Sequence, residues 1–401
     1  MVKVTIIGAG ITGVTAAYAL ARAGHEVTVI DRHRYPAMET SFANGGQLSA
    51  SNAEVWNSWA TVAKGLRWMM QSSAPLLVNP KPSWHKLSWM AEFCGAIRKH
   101  DANTIETTRL AIQARTHLFR IAEEEGIDFD LERRGILHIY HDEPSFRAAA
   151  KTNELLRQGG LDRFPVTGDE ARSIEPALDI TPHAGFYTPS DCTGDIHKFT
   201  RGLAKACEKR GVRFLHDYDV AGIEPKDDVV KIALSGRSAE ELTCEKLIIC
   251  AGVASRQLAT SLGDRINIYP VKGYSITVVL KDGKSQQAAP QVSLLDESAK
   301  IVTSRLGIDR FRVAGTAEFN GYNRDIRDDR IGPLVSWSRK LFPSMATDTI
   351  IPWAGLRPMT PSMMPKVGPG RHPRILYNCG HGHLGWTLSA ITAEMIAQYV
   401  T

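Results

Sequence analysis

With 401 residues, 43% of them hydrophobic and 23% charged, the chain has the composition of a globular protein and the length for two domains. Its 48 basic and 43 acidic residues leave a net charge of +5 without a long basic run interleaved with aromatics, which argues against a nucleic-acid partner. No stretch approaches the roughly 18 uncharged apolar residues that span a bilayer.

The opening Met1–Ile7 leads straight into an apolar strand and leaves no room for a signal peptide. Six cysteines (94, 192, 207, 244, 250 and 379) form no CxxC pair or Cys/His cluster and read as reduced thiols of a cytoplasmic protein. The thirteen histidines make no HxxxH or HExxH, so no metal site is expected.

Val4-Thr5-Ile6-Ile7 is a short apolar run of the kind that forms a fully buried parallel strand. Gly8-Ala9-Gly10-Ile11-Thr12-Gly13 follows at once and fits G-x-G-x-x-G. Helix formers run from Val14 to Ala23, and Gly24 supplies a stop. Glu26–Ile30 reads as a second strand ending at Asp31, 23 residues after Gly8.

That order predicts a Rossmann-like dinucleotide site. Gly8 permits the tight turn, Gly10 lets the backbone approach a pyrophosphate, and Gly13 lets the helix pack on the strand. The helix start at Ile11 and Thr12 then aims free N–H groups at the phosphates. Asp31, with Arg32 beside it, is placed for the ribose hydroxyls, and an acid there disfavours a 2′-phosphate.

Next comes a polar, glycine-bearing loop, Glu39–Gln47, in place of another βα unit. Its Ser41, Asn44, Gly45, Gly46 and Gln47 are expected to lie along the cofactor. Five of the eight tryptophans (56, 59, 68, 84 and 89) then fall within 34 residues, with Met69, Met70, Met90, Leu76 and Leu77 among them. Lys64, Arg67, Lys81 and Lys86 are interspersed, and Pro75, Pro80 and Pro82 prevent one long helix. Two readings stay open for residues 56–90: a surface that contacts a membrane interface peripherally, or a lid packed over the substrate region.

Helical periodicity marks 103–124, His197–Lys209 and 330–341, and Gly211 stops the second of these. Val212–Leu215 and Glu245–Cys250 read as strands, the latter ending at Ala251-Gly252, where the backbone can pass close to a ligand before a helix near Ser255. Tyr274–Leu280, Lys300–Arg305 and Phe311–Ala317 are β-rich and partly alternating, with polar turns at Asp282-Gly283 and Gly307-Ile308-Asp309. Ile375–Cys379 is a strand, Gly380–Gly385 a glycine-rich loop, and Thr387–Tyr399 a helix.

The fold expected is therefore α/β, α+β overall. A discontinuous Rossmann-like domain takes 1–58, 185–265 and 352–401. A mainly antiparallel sheet with flanking helices takes 59–184 and 266–351 and walls the substrate cavity.

Six ordered landmarks carry a resemblance that runs essentially end to end. They are Gly8–Gly13, Glu39–Gln47, Asp191–Asp195, Tyr269–Ser275, Trp353–Pro361 and Gly380–Thr387. Through them the chain resembles the FAD-dependent amine oxidoreductases of the D-amino acid oxidase and glycine oxidase superfamily, and most closely its bacterial D-amino acid dehydrogenase (small-subunit) branch.

The resemblance implies FAD, oxidative deamination of an amino acid by hydride transfer from Cα to flavin N5, and a quinone or dye as electron acceptor. A dehydrogenase of that kind uses a membrane surface, so peripheral contact with the inner membrane through 56–90 belongs to the same expectation. An oxidase, or a dehydrogenase for a cyclic or N-substituted amino acid (hydroxyproline, proline, glycine, sarcosine), is the alternative; a non-catalytic FAD-binding subunit is another.

By the same resemblance Arg357, in Trp-Ala-Gly-Leu-Arg-Pro, is the substrate-carboxylate clamp, a role for which guanidinium geometry is suited. Lys272 and Tyr274 are candidates to bond the carboxylate or line the cavity. Ala251 and Gly252 form a second FAD contact. Gly382, His383, Leu384, Gly385, Trp386 and Thr387 set the C-terminal helix N-terminus near flavin O2. The flavin is expected to be non-covalent, because no cysteine stands at Ala354–Pro358, where related enzymes attach theirs.

Two departures bear on specificity. Ser362-Met363-Met364 follows Thr360-Pro361 where the branch usually has Asp-Gly, and Ala299 replaces a frequent tyrosine.

Overall fold

A computed structural model describes residues 1–68 and 75–400 of the chain; Met69, Met70 and the side chain of Trp68 fall outside this description. The first strand, Lys3–Ile7, pairs in parallel with Glu26–Asp31 on one side and Lys246–Ile249 on the other. Arg213–His216, Ile375–Cys379 and Lys366–Pro369 complete a six-stranded sheet, the last strand antiparallel. The central strands are buried on both sides: one face packs on the helices Ile11–Arg22, Ile196–Lys209 and Gly385–Ala397, the other on a three-stranded antiparallel sheet of Tyr218–Pro225, Val230–Gly236 and Glu240–Cys244.

The helix Ile11–Arg22 is buried along most of its length. It lies between Ile196–Lys209 and Gly385–Ala397: the Cys207 thiol donates to Val14 O at 3.7 Å, and Thr15 Oγ1 donates to Ser389 O at 3.2 Å. Gly24, at φ +81°, ends the turn after it.

A second, nine-stranded sheet is antiparallel except where Ser293–Asp296 meets Ile136–Tyr140 and where Leu76–Val78 joins Arg310–Phe319. Its central order is Ile350–Met359, Tyr269–Val279, Arg310–Phe319, Ile301–Leu306, Ser293–Asp296. One face carries Ile276, Val278, Leu294, Phe311 and Val313, sealed by Ile331, Leu334, Trp337 and Leu341 of the helix Asp328–Leu341. The other face is left for a cavity. The helix segments predicted at 103–124 and 330–341 occur as His100–Glu124 and Asp328–Leu341.

Local chemistry corrects several boundaries. Asp282-Gly283 is not a turn alone: the Asp282 carboxylate accepts the Ser285 N–H and starts a short helix, Gly283–Ala288. The domain limits expected at 184/185 and 351/352 cut through strands. Ala184–Thr188 and Ile350–Met359 both pair within the nine-stranded sheet, because cross-strand hydrogen bonds, rather than sequence neighbourhood, assign a strand to its sheet.

Candidate active site

The two sheets face each other across a cavity of about 750 Å³ lined by both. At its Rossmann end the glycines are dictated by space. A Cβ on Gly8, whose φ is +108°, would fall 2.6 Å from Cys250 O, and one on Gly13 would fall 1.8 Å from Gly8 O. Gly10 differs: a Cβ there would meet only Ser41 Oγ at 3.6 Å and would otherwise enter the cavity. Apart from Ser41 Oγ, no described residue fills that space, so the bare backbone at 10 is open to a ligand in the cavity.

The expected dinucleotide residues assemble here, apart from Gly13, which packs behind the loop. Ile11 and Thr12 line the cavity at the helix start. Ser41 Oγ accepts the Ile11 N–H at 3.0 Å, leaving its own proton available. Asp31 lines the cavity, but its carboxylate also braces the turn, accepting Ala9 N–H at 2.6 Å and His33 N–H at 2.8 Å. Arg32 turns to Glu39, 2.6 Å away, and Glu39 also takes Arg324 at 2.6 Å and His33 at 2.8 Å. Burial alone would raise the Glu39 carboxyl; hydrogen bonds from Arg324, His33 and Arg32 outweigh it and bring it down to about 2.

Asn44–Gln47 is pinned from three directions. Arg312 donates to Asn44 O at 3.0 Å, Ser304 to Gly45 O at 2.6 Å, and the Gly194 N–H to Gly46 O at 2.9 Å. Gln47 reaches Ser293 Oγ at 2.8 Å. Ala251 and Gly252 form the opposite lip.

At the C-terminal end, Gly382–Leu384 is a single 3₁₀ turn before the helix Gly385–Ala397. Gly382, His383, Leu384, Gly385, Trp386 and Thr387 all line the cavity. His383 donates from Nε2 to Asn52 O at 3.0 Å and stacks on Trp56 at 4.7 Å. Burial and the nearby Arg357 charge push its imidazole down to about 4, so it is neutral at pH 7. Thr387 Oγ1 accepts the Ser49 N–H at 3.3 Å. Trp386 Nε1 has no hydrogen-bond partner among the described residues.

The cavity face of the nine-stranded sheet follows strand alternation. Val271 pairs with Arg357, Gly273 with Gly355 and Ser275 with Trp353, so these side-chain positions share one face. The Arg357 guanidinium folds back over Gly273, where a Cβ would come within 2.3 Å of Nη1. Nη1 donates to Thr316 O at 3.0 Å. Thr316 has φ +62° and sits at a bulge opposite Gly273 that turns its carbonyl toward the guanidinium. Among the described residues no carboxylate lies within ion-pairing distance of Arg357. Burial pushes its pKa down to about 10, which leaves it a cation at neutral pH.

Lys272 and Tyr274 turn their side chains away from Arg357, although Tyr274 still borders the cavity. Pairing with Leu356 and Ala354, they point to the opposite face of the sheet and are 0% and 1% exposed. Lys272 Nζ donates to Asn323 Oδ1 at 2.6 Å and lies 3.4 Å from Glu318; Tyr274 donates to Glu318 at 2.7 Å. The expectation that either bonds the substrate carboxylate is overturned by this register.

Sequence reasoning also missed a wall. Residues 51–57 alternate, with Ser51, Ala53, Val55 and Asn57 buried and Asn52, Glu54 and Trp56 facing the cavity. The period of two was visible in Ser-Asn-Ala-Glu-Val-Trp-Asn. Asp191, taking Arg115, Ala50 N–H and Ser51 N–H, anchors this wall.

The tryptophan-rich segment divides. Trp89 is buried and donates to Met359 O at 2.8 Å, and Trp56 lines the cavity, whereas Trp59 and Trp84 are 68% and 83% exposed. Among the described residues no group could hold a metal, and no helix is long and apolar enough to cross a membrane.

A dinucleotide-flavin fits the lining: a glycine Cβ position open to the cavity, a helix start, an acid at the second strand and glycine loops at both remaining edges. Comparison with known proteins agrees. FAD dependent oxidoreductases, the DAO family, match residues 3–399. D-amino acid dehydrogenase 3 of Mesorhizobium japonicum is 60% identical, covering 100% of this chain and 97% of its own. D-amino acid dehydrogenase of Dechloromonas aromatica is 39% identical, covering 100% and 97%.

Among solved structures, glycine oxidase from Bacillus cereus superposes with a TM-score of 0.75 at 21% identity, covering 100% of this chain and 95% of that one. L-proline dehydrogenase from P. horikoshii superposes at 0.77 and 18% identity, covering 100% and 93%. At that identity they speak for the fold. The motifs, the cavity and the full-length relatives together place the chain in the DAO family of FAD dependent oxidoreductases.

Proposed function

We propose that this enzyme deaminates a D-amino acid oxidatively, giving the imino acid and then the 2-oxo acid, and passes the electrons to a quinone or dye. The observation that carries the reading is Arg357: a cation with no carboxylate within ion-pairing distance among the described residues, facing a cavity whose other end is built for a dinucleotide. A group so placed selects a substrate carboxylate, and charged hydrogen bonds of that kind contribute roughly 1.5–3 kcal/mol each. The relatives named D-amino acid dehydrogenase support the same substrate class.

When bound, FAD supplies the hydride acceptor. Gly8, Gly10, Ile11, Thr12, Ser41 and Asp31 would hold its dinucleotide part, and Asn44–Gln47 with Gly382–Thr387 its ring. Arg357 fixes the substrate by its carboxylate, Thr316 O and the bare Gly273 backbone fix Arg357, and the stacked Trp56–His383 pair walls the same region. The chain needs no nucleophile for this chemistry.

We read the flavin as non-covalent. Cys250 and Cys379 border the cavity, but burial raises both thiols and keeps them protonated. Acid precipitation then leaves the yellow colour in the supernatant; a coloured pellet overturns this.

The acceptor side is read from the helices Trp59–Trp68 and Trp84–Gly95. Val62, Gly65, Met90 and Phe93 line the cavity from within, while Trp59, Trp84 and Leu87 are exposed, as are Arg67 and Lys81 in the same segment. An aromatic and cationic face of this kind suits a lipid headgroup layer, where a membrane quinone is met.

Anaerobic flavin bleaching with a panel of D-, L- and N-substituted amino acids, followed by air, tests the whole reading. Bleaching by D-amino acids and slow re-oxidation in air are expected. Bleaching by L- or N-substituted substrates alone, or immediate re-oxidation by oxygen, overturns the substrate or the acceptor assignment respectively.

A further inference from the structure

The cavity face of the nine-stranded sheet carries a row of positions that runs away from Arg357. Cross-strand register aligns Trp353, Ser275, Ala314, Val302 and Leu295, all of which line the cavity. Two residues along, toward Arg357, Gly355 pairs with Gly273 on the same face, and Thr316, Lys300 and Glu297 continue the cavity lining from the neighbouring strands and turn. The Arg357 guanidinium covers Gly273. Lys300 stands two strands further on, about 10 Å away at the usual inter-strand spacing.

Lys300 and Glu297 both line the cavity and pair at 2.5 Å through Nζ and Oε2. Burial alone would raise the Glu297 carboxyl, but the Lys300 charge and the His138 contact hold it well below the usual range. Among the described residues its Oε1 has His138 Nδ1 as its near neighbour, at 3.6 Å, and that buried nitrogen makes no hydrogen bond.

Glu54, in the wall formed by residues 51–57, lies near enough for its charge to act on Lys300. Its Oε1 takes Thr152 at 3.0 Å and lies 3.5 Å from His100, while Oε2 has no hydrogen bond among the described residues. Two carboxylates thus face the lumen against one ammonium, with acceptor capacity to spare. Arg357, which has no carboxylate within ion-pairing distance among the described residues, borders the same cavity.

We propose that Glu54, Glu297 and Lys300 form a side-chain subsite that selects amino acids whose side chain ends in a hydrogen-bond donor, an amine or a hydroxyl. The inference rests on the amino acid reading above and adds the substrate's far end to it. With its carboxylate on Arg357, an extended side chain of three to four heavy atoms reaches along Thr316 toward Lys300 and Glu297. A donor there satisfies the free carboxylate oxygens. An apolar terminus strips water from them and returns nothing, which is the circumstance in which a polar site rejects an isostere strongly.

The test compares isosteric pairs in the holoenzyme: ornithine against norleucine, and homoserine against norvaline, each by anaerobic flavin bleaching and dye-coupled kcat/KM. Wild type should favour the donor-bearing member at least about tenfold. Glu54→Gln and Glu297→Gln should bring the ratio toward one through KM, with FAD content and visible spectrum retained; Glu54→Gln leaves the Lys300–Glu297 pair intact and guards against misfolding. Ratios near one in wild type, or ratios unchanged in both variants, overturn the subsite while leaving amino acid oxidation standing. If no amino acid bleaches the flavin, both readings fall.

Discussion

The guanidinium of Arg357 lies against the backbone of Gly273, so close that a Cβ at 273 would stand 2.5 Å from Cζ. The glycine is therefore part of the arginine's seat. Gly273→Ala should displace the guanidinium from Thr316 O and slow flavin reduction by amino acids at least about tenfold, since a misplacement near 1 Å is costly to a positioned group. Stopped-flow reduction with FAD content measured in parallel checks this. Wild-type rates in the alanine variant would show that the seat tolerates the methyl group.

Arg357 itself is expected to matter more. Arg357→Ala should lower the rate of reduction by at least about 10²-fold, the loss of ~3 kcal/mol of carboxylate binding, with flavin binding near normal. Arg357→Lys should recover little, because a point charge cannot reproduce the planar fork against both Thr316 O and a carboxylate. Unchanged reductive kinetics in Arg357→Ala would remove the clamp.

Glu39 predicts an acid limit for cofactor retention. Its carboxyl sits near 2 instead of 4.5 because Arg324, His33 and Arg32 favour the ionised form over the burial that opposes it. A depressed carboxyl contributes stability that is complete above its ordinary pKa and is lost as pH falls through the folded value. The contribution should therefore hold above about pH 4.5 and disappear toward pH 2. Free-flavin fluorescence during acid titration should rise across this window, and Glu39→Gln should release FAD at a higher pH than wild type. Coincident release curves would separate Glu39 from the cofactor.

The outward tryptophans give a separate expectation. Wild type should pellet with anionic vesicles at low salt, and a Trp59→Ser/Trp84→Ser/Leu87→Ser variant should stay in the supernatant with its flavin chemistry intact. Wild type remaining in the supernatant would leave these side chains without a membrane role.

What the sequence determined by itself was local. The dinucleotide turn is written in consecutive residues, because the Gly8 and Gly13 spacing follows from one strand, one turn and one helix start. Arg357 was legible from its neighbours in the chain. The face to which each strand residue points was not. A side-chain period of two makes Lys272 and Gly273 exchange roles with a one-residue shift of register, and that register is set by pairing Tyr269–Val279 with Ile350–Met359 across some eighty residues.

Tertiary pairing alone decided that Gly273 seats the arginine while Lys272 and Tyr274 turn to Glu318 behind the sheet. It also decided which tryptophans are buried, since that depends on the strands and helices they meet. Glu54, Glu297 and Lys300 come from two distant segments and share one cavity because sheet and wall are folded over the same space, a convergence that no local pattern encodes.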